Sequence, residues 1–406
     1  MAELRRLRNE IRHYDWGCPD SIPKFLGRRG DGRPCAEMWM GAHAAAPSRI
    51  APETGLGEFI ASDPARILGK ETARRFGELP FLFKLLAAKK PLSLQAHPGE
   101  AQARAGFERE SSSGLEQSDS RRLYSDPRHK PEMLCALAPF TALCGFREPG
   151  EIARLLTRLC EHAPEDLCRA LAPLERSLRM KTAEETLRGF MSELFSSGQA
   201  LASSDLTTAL EAASRFEKAD RFEEAEAFDL AAGLARLWPK DPTALAPLFL
   251  NVFSLDAGEA IFLKPGAPHA YLSGFALEIM ANSDNVLRGG LSSKKIEPGA
   301  FMEALDFAPY RPEIARRDPL AENFRYPDFC REFSLSFFRG SGGERLLSLD
   351  GPAICLVASG AADAGGEVLR KGESAFVHGS EKRPLSLRGD YGLYVASVGR
   401  PEAGAP

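Results

Sequence analysis

The sequence predicts a mainly β chain carrying one α-helical insertion, followed by a second β domain, and three changes of texture predict it. Up to about residue 147, short apolar runs alternate with turn residues. From about 148 to 245, apolar residues recur at helical spacing and no strand signal interrupts them. After Pro239 and Pro242 the β texture returns and holds to the end of the chain.

In order, FLFKLL (81–86), PLSL (91–94) and MLCAL (133–137) read as strands. Between them, the polar stretch 99–129 reads as a helix followed by a mobile loop around Ser111-Ser112-Ser113-Gly114. In the helical block, Ile152, Leu155, Leu156 and Leu159 form one apolar stripe, and Leu187, Phe190, Met191 and Leu194 form another. Thr182 followed by Glu185 is a capping-box start, and SDLTTALEAASRF and EAFDLAAGLARLW continue the helical pattern. This block is expected to be a structural insertion without a catalytic part. AIFLKPG (260–266) is then a strand running into a Pro-Gly turn. FSLSFF (333–338), RLLSL (345–349), AICLVAS (353–359), SAFVHG (374–379) and YGLYVASV (391–398) are regularly spaced short strands, which suits an antiparallel sandwich or barrel. The expected division is 1–147 with 246–320, an inserted 148–245, and a C-terminal β domain over 321–406.

Composition excludes several function classes. A net charge of −4 gives no reason to expect nucleic acid or an anionic membrane as partner. No run of 18 apolar residues occurs, and MAELRRLRNEIRHYDWG lacks the apolar core of a signal peptide, so a cytoplasmic location is expected. The eight cysteines show no CxxC and no regular framework, and read as reduced residues.

Seven histidines leave few pairings to weigh. In LQAHP (94–98), Gln95 and His97 stand two apart, so on a strand both point to one face. His269 follows a proline-rich turn in KPGAPHAYL, and Glu132 lies in HKPEML. Gln95, His97, Glu132 and His269 would supply four N or O ligands, a set that suits zinc. Spacing alone leaves open hydrogen-bonded polar residues at strand ends. The stretch EIMANSDNVLRGGLSSKKI (278–296) carries Glu278, Asp284, Asn285, Arg288, Lys294 and Lys295 around Gly289-Gly290. Arginine beside two glycines can approach an anion closely, although a solvated turn with loose ion pairs fits the same residues. Lys84 and Lys130, in or beside apolar strands, either reach the surface or point into a site that wants positive charge. In AEMWMGAH (36–43), Glu37, Trp39 and His43 fit ordinary core packing.

Taken in order, YDWG (14–17), AEMWMGAH (36–43), FLFKLL (81–86), LSLQAHP (92–98), HKPEM (129–133), PHAYLSG (268–274) and SDNVLRGGL (283–291) resemble the type I mannose-6-phosphate isomerases, over most of residues 9 to 300. The resemblance implies a cupin-type jelly-roll core with a helical insertion and a C-terminal β domain. It implies one Zn2+ held by Gln95, His97, Glu132 and His269, with Arg288 and Lys294 matching the family's arginine and downstream lysine. The implied reaction interconverts mannose 6-phosphate and fructose 6-phosphate through an enediol, in a chain expected to be a monomer. Arg288 would stabilise the developing charge, and Glu278, or else His43, would carry the proton. Ser93, Lys84, Lys130 and Lys294, with Tyr271 and Asp284, would contact the sugar phosphate. Two departures bear on substrate preference. Phe275-Ala276 follow LSG where the family has a polar residue, expected to reshape the site mouth, and Ser292-Ser293-Lys294 replace its Thr-Pro-Lys. The C-terminal domain has only His378, so no second metal is expected there. A non-catalytic cupin that binds or senses a sugar phosphate is the alternative, and an iron-dependent oxidising cupin fits the glutamine-containing set less well.

Overall fold

The structure is a computed structural model. It describes residues 3–50, 53–116, 119, 121–197, 201, 204–217, 221–379 and 384–400 of the 406-residue chain. Two large antiparallel sheets carry the fold. Along its main path the first sheet runs Ala315–Arg316, Glu259–Leu263, Glu132–Phe146, His269–Ala281, Phe81–Ala88, Glu37–Met40, Glu10–Arg12. Leu94–Ala96, Leu287–Gly290 and Leu250–Leu255 attach beside this path. The second sheet runs Leu4–Leu7, Ser374–Val377, Ala353–Ala364, Asp390–Ser397, Ser334–Ser341, Asn323–Arg325, with Arg345–Leu347, Glu367–Arg370 and Leu385–Arg388 off the path.

Period-two alternation divides the first sheet between packing and chemistry. Glu278 stands opposite Lys84 and Leu134, Met280 opposite Glu132, and Trp39 opposite Lys84. Residues opposite one another share a face, so Lys84, Glu132, Glu278, Met280, Glu37 and Trp39 all project to one side. Their neighbours Met38, Phe83, Leu85, Met133, Cys135, Leu277 and Ile279 project to the other. There they join Leu335, Ile354, Leu356, Phe376 and Tyr394 of the second sheet in one buried core. A one-residue slip in any of these strands would put charge into that core, which is why the register is fixed.

The helical block contains Pro149–Glu161, Glu165–Ser177, Ala183–Ser197, Ser204–Glu217 and Phe222–Leu237. Thr182 and Glu185 form the expected reciprocal cap: the Glu185 N–H donates to Thr182 Oγ1 at 3.1 Å, and the Thr182 N–H to Glu185 Oε2 at 3.3 Å. The block's apolar stripes merge with Leu287, Leu291 and Phe301 into a single core, so it packs directly onto the edge of the first sheet. Among the described residues no helix is long and apolar enough to cross a membrane.

Two expectations need adjustment. Residues 1–147 do not all join the first sheet, because Leu4–Leu7 pairs with Ser374–Val377 of the second. That segment, LRRL, buries only Leu7 fully and so carries no pattern that could name its partner. PLSL is not a strand, since pairing begins only at Leu94, after a proline that has no N–H to give a ladder. The stretch 99–129 does open with the helix Glu100–Ser112; within its expected loop, positions 117, 118 and 120 lie outside the described residues.

Candidate active site

A cavity of about 340 Å³ opens on the charged face of the first sheet. Tyr14, Asp15 and Trp16 close one side, Arg288 and the segment 291–294 another, and Trp238 of the helical block a third. Its floor holds a compact cluster in which one nitrogen each of His97 and His269 and a Glu132 carboxylate oxygen lie within 4.8 Å of one another, all buried.

The outer hydrogen bonds of this cluster decide what its inner atoms are. His97 Nδ1 lies 2.7 Å from the Asn285 carbonyl oxygen, and His269 Nδ1 lies 2.9 Å from that of Ala267. A carbonyl can only accept, so both Nδ1 atoms carry the hydrogen and both Nε2 atoms present bare lone pairs. Those Nε2 atoms are buried and have no hydrogen-bond partner. His97 Nε2 stands 3.1 Å from Glu132 Oε1, and His269 Nε2 stands 3.7 Å from Glu132 Oε2. Burial lowers both imidazole pKa values, that of His269 to about 4, and so favours the neutral rings. Burial alone would raise Glu132, but nearby positive charge, that of Lys130 at 3.2 Å included, holds it well below the usual carboxylate range. Lone pairs facing a carboxylate repel one another unless a cation lies between them. Tetrahedral zinc with N and O arms of about 2.0–2.1 Å separates its ligands by about 3.3 Å, which the observed spacings bracket. The donor set therefore fits zinc. Asn285 is itself anchored: its side-chain amide donates to the carbonyls of Asp126 and Arg128 at 2.7 and 2.8 Å, so the partner of His97 cannot drift. The Tyr271 hydroxyl donates to Glu132 Oε2 at 3.2 Å.

A second cluster lies beside the first. Lys84 Nζ is 2.9 Å from Glu278 Oε2 and 3.6 Å from Glu37 Oε1, with all three side chains buried. Burial by itself lowers a lysine pKa, but Glu278 and Glu37 outweigh it and hold Lys84 as an ammonium. Burial raises the Glu278 carboxyl, Lys84 opposes this, and the net shift is upward. Glu37 also accepts from Trp39 Nε1 at 2.8 Å.

The family model for the type I phosphomannose isomerase catalytic domain matches residues 4–149. Over 397 aligned residues, the chain is 34% identical to mannose-6-phosphate isomerase of Escherichia coli K12, covering 95% of this chain and 97% of that one. This chain belongs to the type I phosphomannose isomerase family. The bovine mannose-6-phosphate isomerase is 32% identical, covering 93% of this chain and 94% of that one. Two solved structures superpose with a TM-score of 0.84 at 32% identity, each covering 98% of this chain and all of the other. One is a mannose 6-phosphate isomerase bound with zinc and yttrium, and the other is the apo form from Salmonella typhimurium.

Most of the residues singled out from the sequence of this isomerase-family chain meet in the one cavity: Lys84, Ser93, Gln95, Lys130, Glu132, Tyr271, Glu278, Asp284, Arg288 and Lys294 all line it, with His97 and His269 beneath. Gln95 pairs with His269 on one side and Arg288 on the other, which aims it between the histidines and the arginine. Lys130 lies 3.2 Å from Glu132 Oε1. Arg288 and Lys294 have no carboxylate partner among the described residues, and burial lowers both pKa values. Lys294 stands 5.6 Å over the ring of Tyr14.

His43 is not among the lining residues. It sits behind Trp39, its Nδ1 accepting from the Ala45 N–H at 3.2 Å and its Nε2 lying 3.2 Å from Asp284 Oδ1. That contact lowers the Asp284 carboxyl despite its partial burial. Phe275, expected at the site mouth, points to the opposite face and packs edge-on against Phe25. His129, one position before Lys130, turns away to Glu332 at 3.0 Å. Sequence reasoning missed Glu37 and Trp39 as cavity residues; a carboxylate alternating with apolar positions in AEMWM was the available signal. It missed Trp238 because the helical block was read as scaffold.

Proposed function

We propose that this protein is a zinc-dependent aldose–ketose isomerase that interconverts mannose 6-phosphate and fructose 6-phosphate. The observation that carries the proposal is the pair of buried, unpartnered His97 and His269 Nε2 lone pairs converging on Glu132, at the floor of a cavity that also holds the Lys84–Glu278 pair. Curated relatives similar over nearly the whole chain are named for this reaction, and a matching structure holds zinc. His97, Glu132 and His269, with Gln95 beside them, would hold the ion. When bound, zinc supplies positive charge to the oxygens of the reacting sugar.

Glu278 takes the proton from C2 of the open-chain aldose and returns it to C1, while the hydroxyl hydrogen on O2 is exchanged for one on O1. A carboxylate with a raised pKa suits both directions, because it binds the proton firmly enough to remove it and loosely enough to give it back. Lys84 stays an ammonium, opposes the burial-driven rise of the Glu278 carboxyl, and leaves the base role to that carboxylate. Arg288 and Lys294 are cavity cations without a carboxylate partner among the described residues, and these are the groups for the phosphate dianion and the enediolate charge. Ser93, Tyr271 and Asp284 contribute oxygens around the sugar. His43 acts through Asp284 and not on the substrate.

Action in the cytoplasm, as a monomer on a free sugar phosphate and without nucleic acid, belongs to the same proposal; the net charge of −4 and eight free thiols support it. The non-catalytic alternative has no use for a buried Lys84–Glu278 pair in the cavity. The test is to strip the metal, then follow conversion of mannose 6-phosphate with and without added zinc. Zinc-dependent turnover is expected, and an inert zinc-loaded protein overturns the proposal. Arg288→Ala should lose most of kcat/KM with zinc content unchanged; loss of zinc would reassign that residue.

A further inference from the structure

Arg288 and Lys294 stand six residues apart yet face one cavity, so the chain between them has to reverse. The strand Leu287–Gly290 ends, and Leu291 adopts φ +52°, the only non-glycine residue in the left-handed region among the described residues. Leucine has no intrinsic preference for that region, so something outside the loop imposes it. The Leu291 N–H donates to Asp241 Oδ2 at 2.6 Å. The other oxygen, Asp241 Oδ1, accepts from the Thr243 N–H at 2.9 Å and from Thr243 Oγ1 at 2.6 Å, capping the short helical turn Pro242–Leu245. Asp241 lies just beyond the last helix of the inserted block, and Trp238, three residues upstream, walls the cavity.

The two glycines before Leu291 fit the same arrangement. A side chain at Gly290 would collide with Thr243 Oγ1, and one at Gly289 with the ring of Phe301. The arginine strand is therefore pressed between the turn that Asp241 caps and the helix Pro298–Ala304, and Leu291 itself is buried in the core shared with the helical block. With the strand seated this tightly, the direction of the loop is set at one peptide, and Asp241 is the group that holds it.

We propose that Asp241 is a positioning residue for the isomerase site: by fixing the left-handed turn at Leu291 it returns Lys294 to the cavity beside Arg288, and so makes the helical block part of the anion-binding machinery. Asp241 touches neither substrate nor metal. Losing the turn would let Leu291 relax and carry Lys294 away from Tyr14, leaving the zinc cluster and the Lys84–Glu278 pair in place. The inference rests on the isomerase reading above.

The test compares wild type, Asp241→Asn and Asp241→Ala for zinc content, thermal midpoint, kcat and KM for mannose 6-phosphate, and inhibition by inorganic phosphate. Wild-type turnover is measured first; its absence overturns the isomerase reading, independently of Asp241. Given turnover, Asp241→Ala should raise KM and the phosphate inhibition constant together by about tenfold, the factor for one weakened charge-assisted contact, with a smaller change in kcat and full zinc content. Asp241→Asn keeps a single acceptor oxygen, so it should fall between the two. Should Asp241→Ala not fold, the asparagine variant carries the test on the same readouts. Adding Leu291→Gly to Asp241→Asn supplies a residue indifferent to the sign of φ, and part of the lost affinity should return. A folded variant with unchanged KM and phosphate inhibition, or one that loses only thermal stability, overturns the proposal.

Discussion

Replacing Lys84 by methionine keeps the length and apolar stem of the side chain and removes its charge. Two buried carboxylates are then left facing each other: Glu278 loses an ammonium at 2.9 Å and Glu37 loses it at 3.6 Å. At an effective dielectric of about 20, the first of these attractions is about 6 kcal/mol. Protonation of Glu278 relieves part of the loss, so the net cost to stability should be about 3–5 kcal/mol, as when one partner of a buried pair is removed. The functional consequence follows from the same charge. Lys84 is what opposes the burial-driven rise of the Glu278 carboxyl, so without it that carboxyl moves further up and holds its proton to higher pH. A protonated carboxyl cannot take the C2 proton, and kcat should fall by about 10²–10⁴-fold, the worth of a general base. The acid limb of the kcat profile should move to higher pH, and part of the rate should return in alkaline solution. Stability should move the opposite way. A carboxyl whose folded pKa lies above its unfolded value binds its proton more readily in the native state, so stability falls as pH rises from the unfolded to the folded pKa, and the variant widens that window. The assays are pH-resolved kinetics, urea unfolding at several pH values, and zinc content. A folded, zinc-loaded Lys84→Met with the wild-type pH profile and kcat within a few-fold would refute this account of the pair.

Tyr271→Phe removes the hydroxyl that donates to Glu132 at 3.2 Å and nothing else. Zinc affinity, measured by competition with a chromophoric chelator, should fall by about 10–100-fold, with kcat at saturating zinc changed much less. Thr182→Ala breaks the reciprocal cap at the start of Ala183–Ser197, and neither Thr182 nor Glu185 lines the cavity. Urea unfolding should report a loss of about 1 kcal/mol, with both KM and kcat as in wild type.

What was legible in the sequence is what local chemistry dictates. The apolar period of Ile152, Leu155, Leu156 and Leu159 needs only neighbours within a turn or two, and so the helical block was readable. The alternation of strands with Gly and Pro turns was readable for the same reason, and the ordered motifs from YDWG to SDNVLRGGL carried the family. Gln95 and His97 were named by local spacing, although the strand Leu94–Ala96 ends one residue before His97, whose meeting with Glu132 and His269 is tertiary. PLSL misled because its apolar residues satisfy the strand pattern, while Pro91 and the late start of pairing depend on a partner that the pattern cannot display.

Tertiary structure decided everything that joins distant residues. Whether Lys84 reached solvent or a site depended on its pairing with Glu278, 194 positions away. His43 had the right chemistry for a base, yet the ring stands behind Trp39, because its place is set by how the segment after the strand Glu37–Met40 packs and not by its own sequence context. Leu4–Leu7 crossed to the other sheet, and Asp241 reached from the helical block to a turn 50 positions later. Side-chain type and spacing along one segment fix the face that each residue presents. Which faces meet is fixed by register and burial summed over the whole chain, and catalytic geometry is made only where they meet.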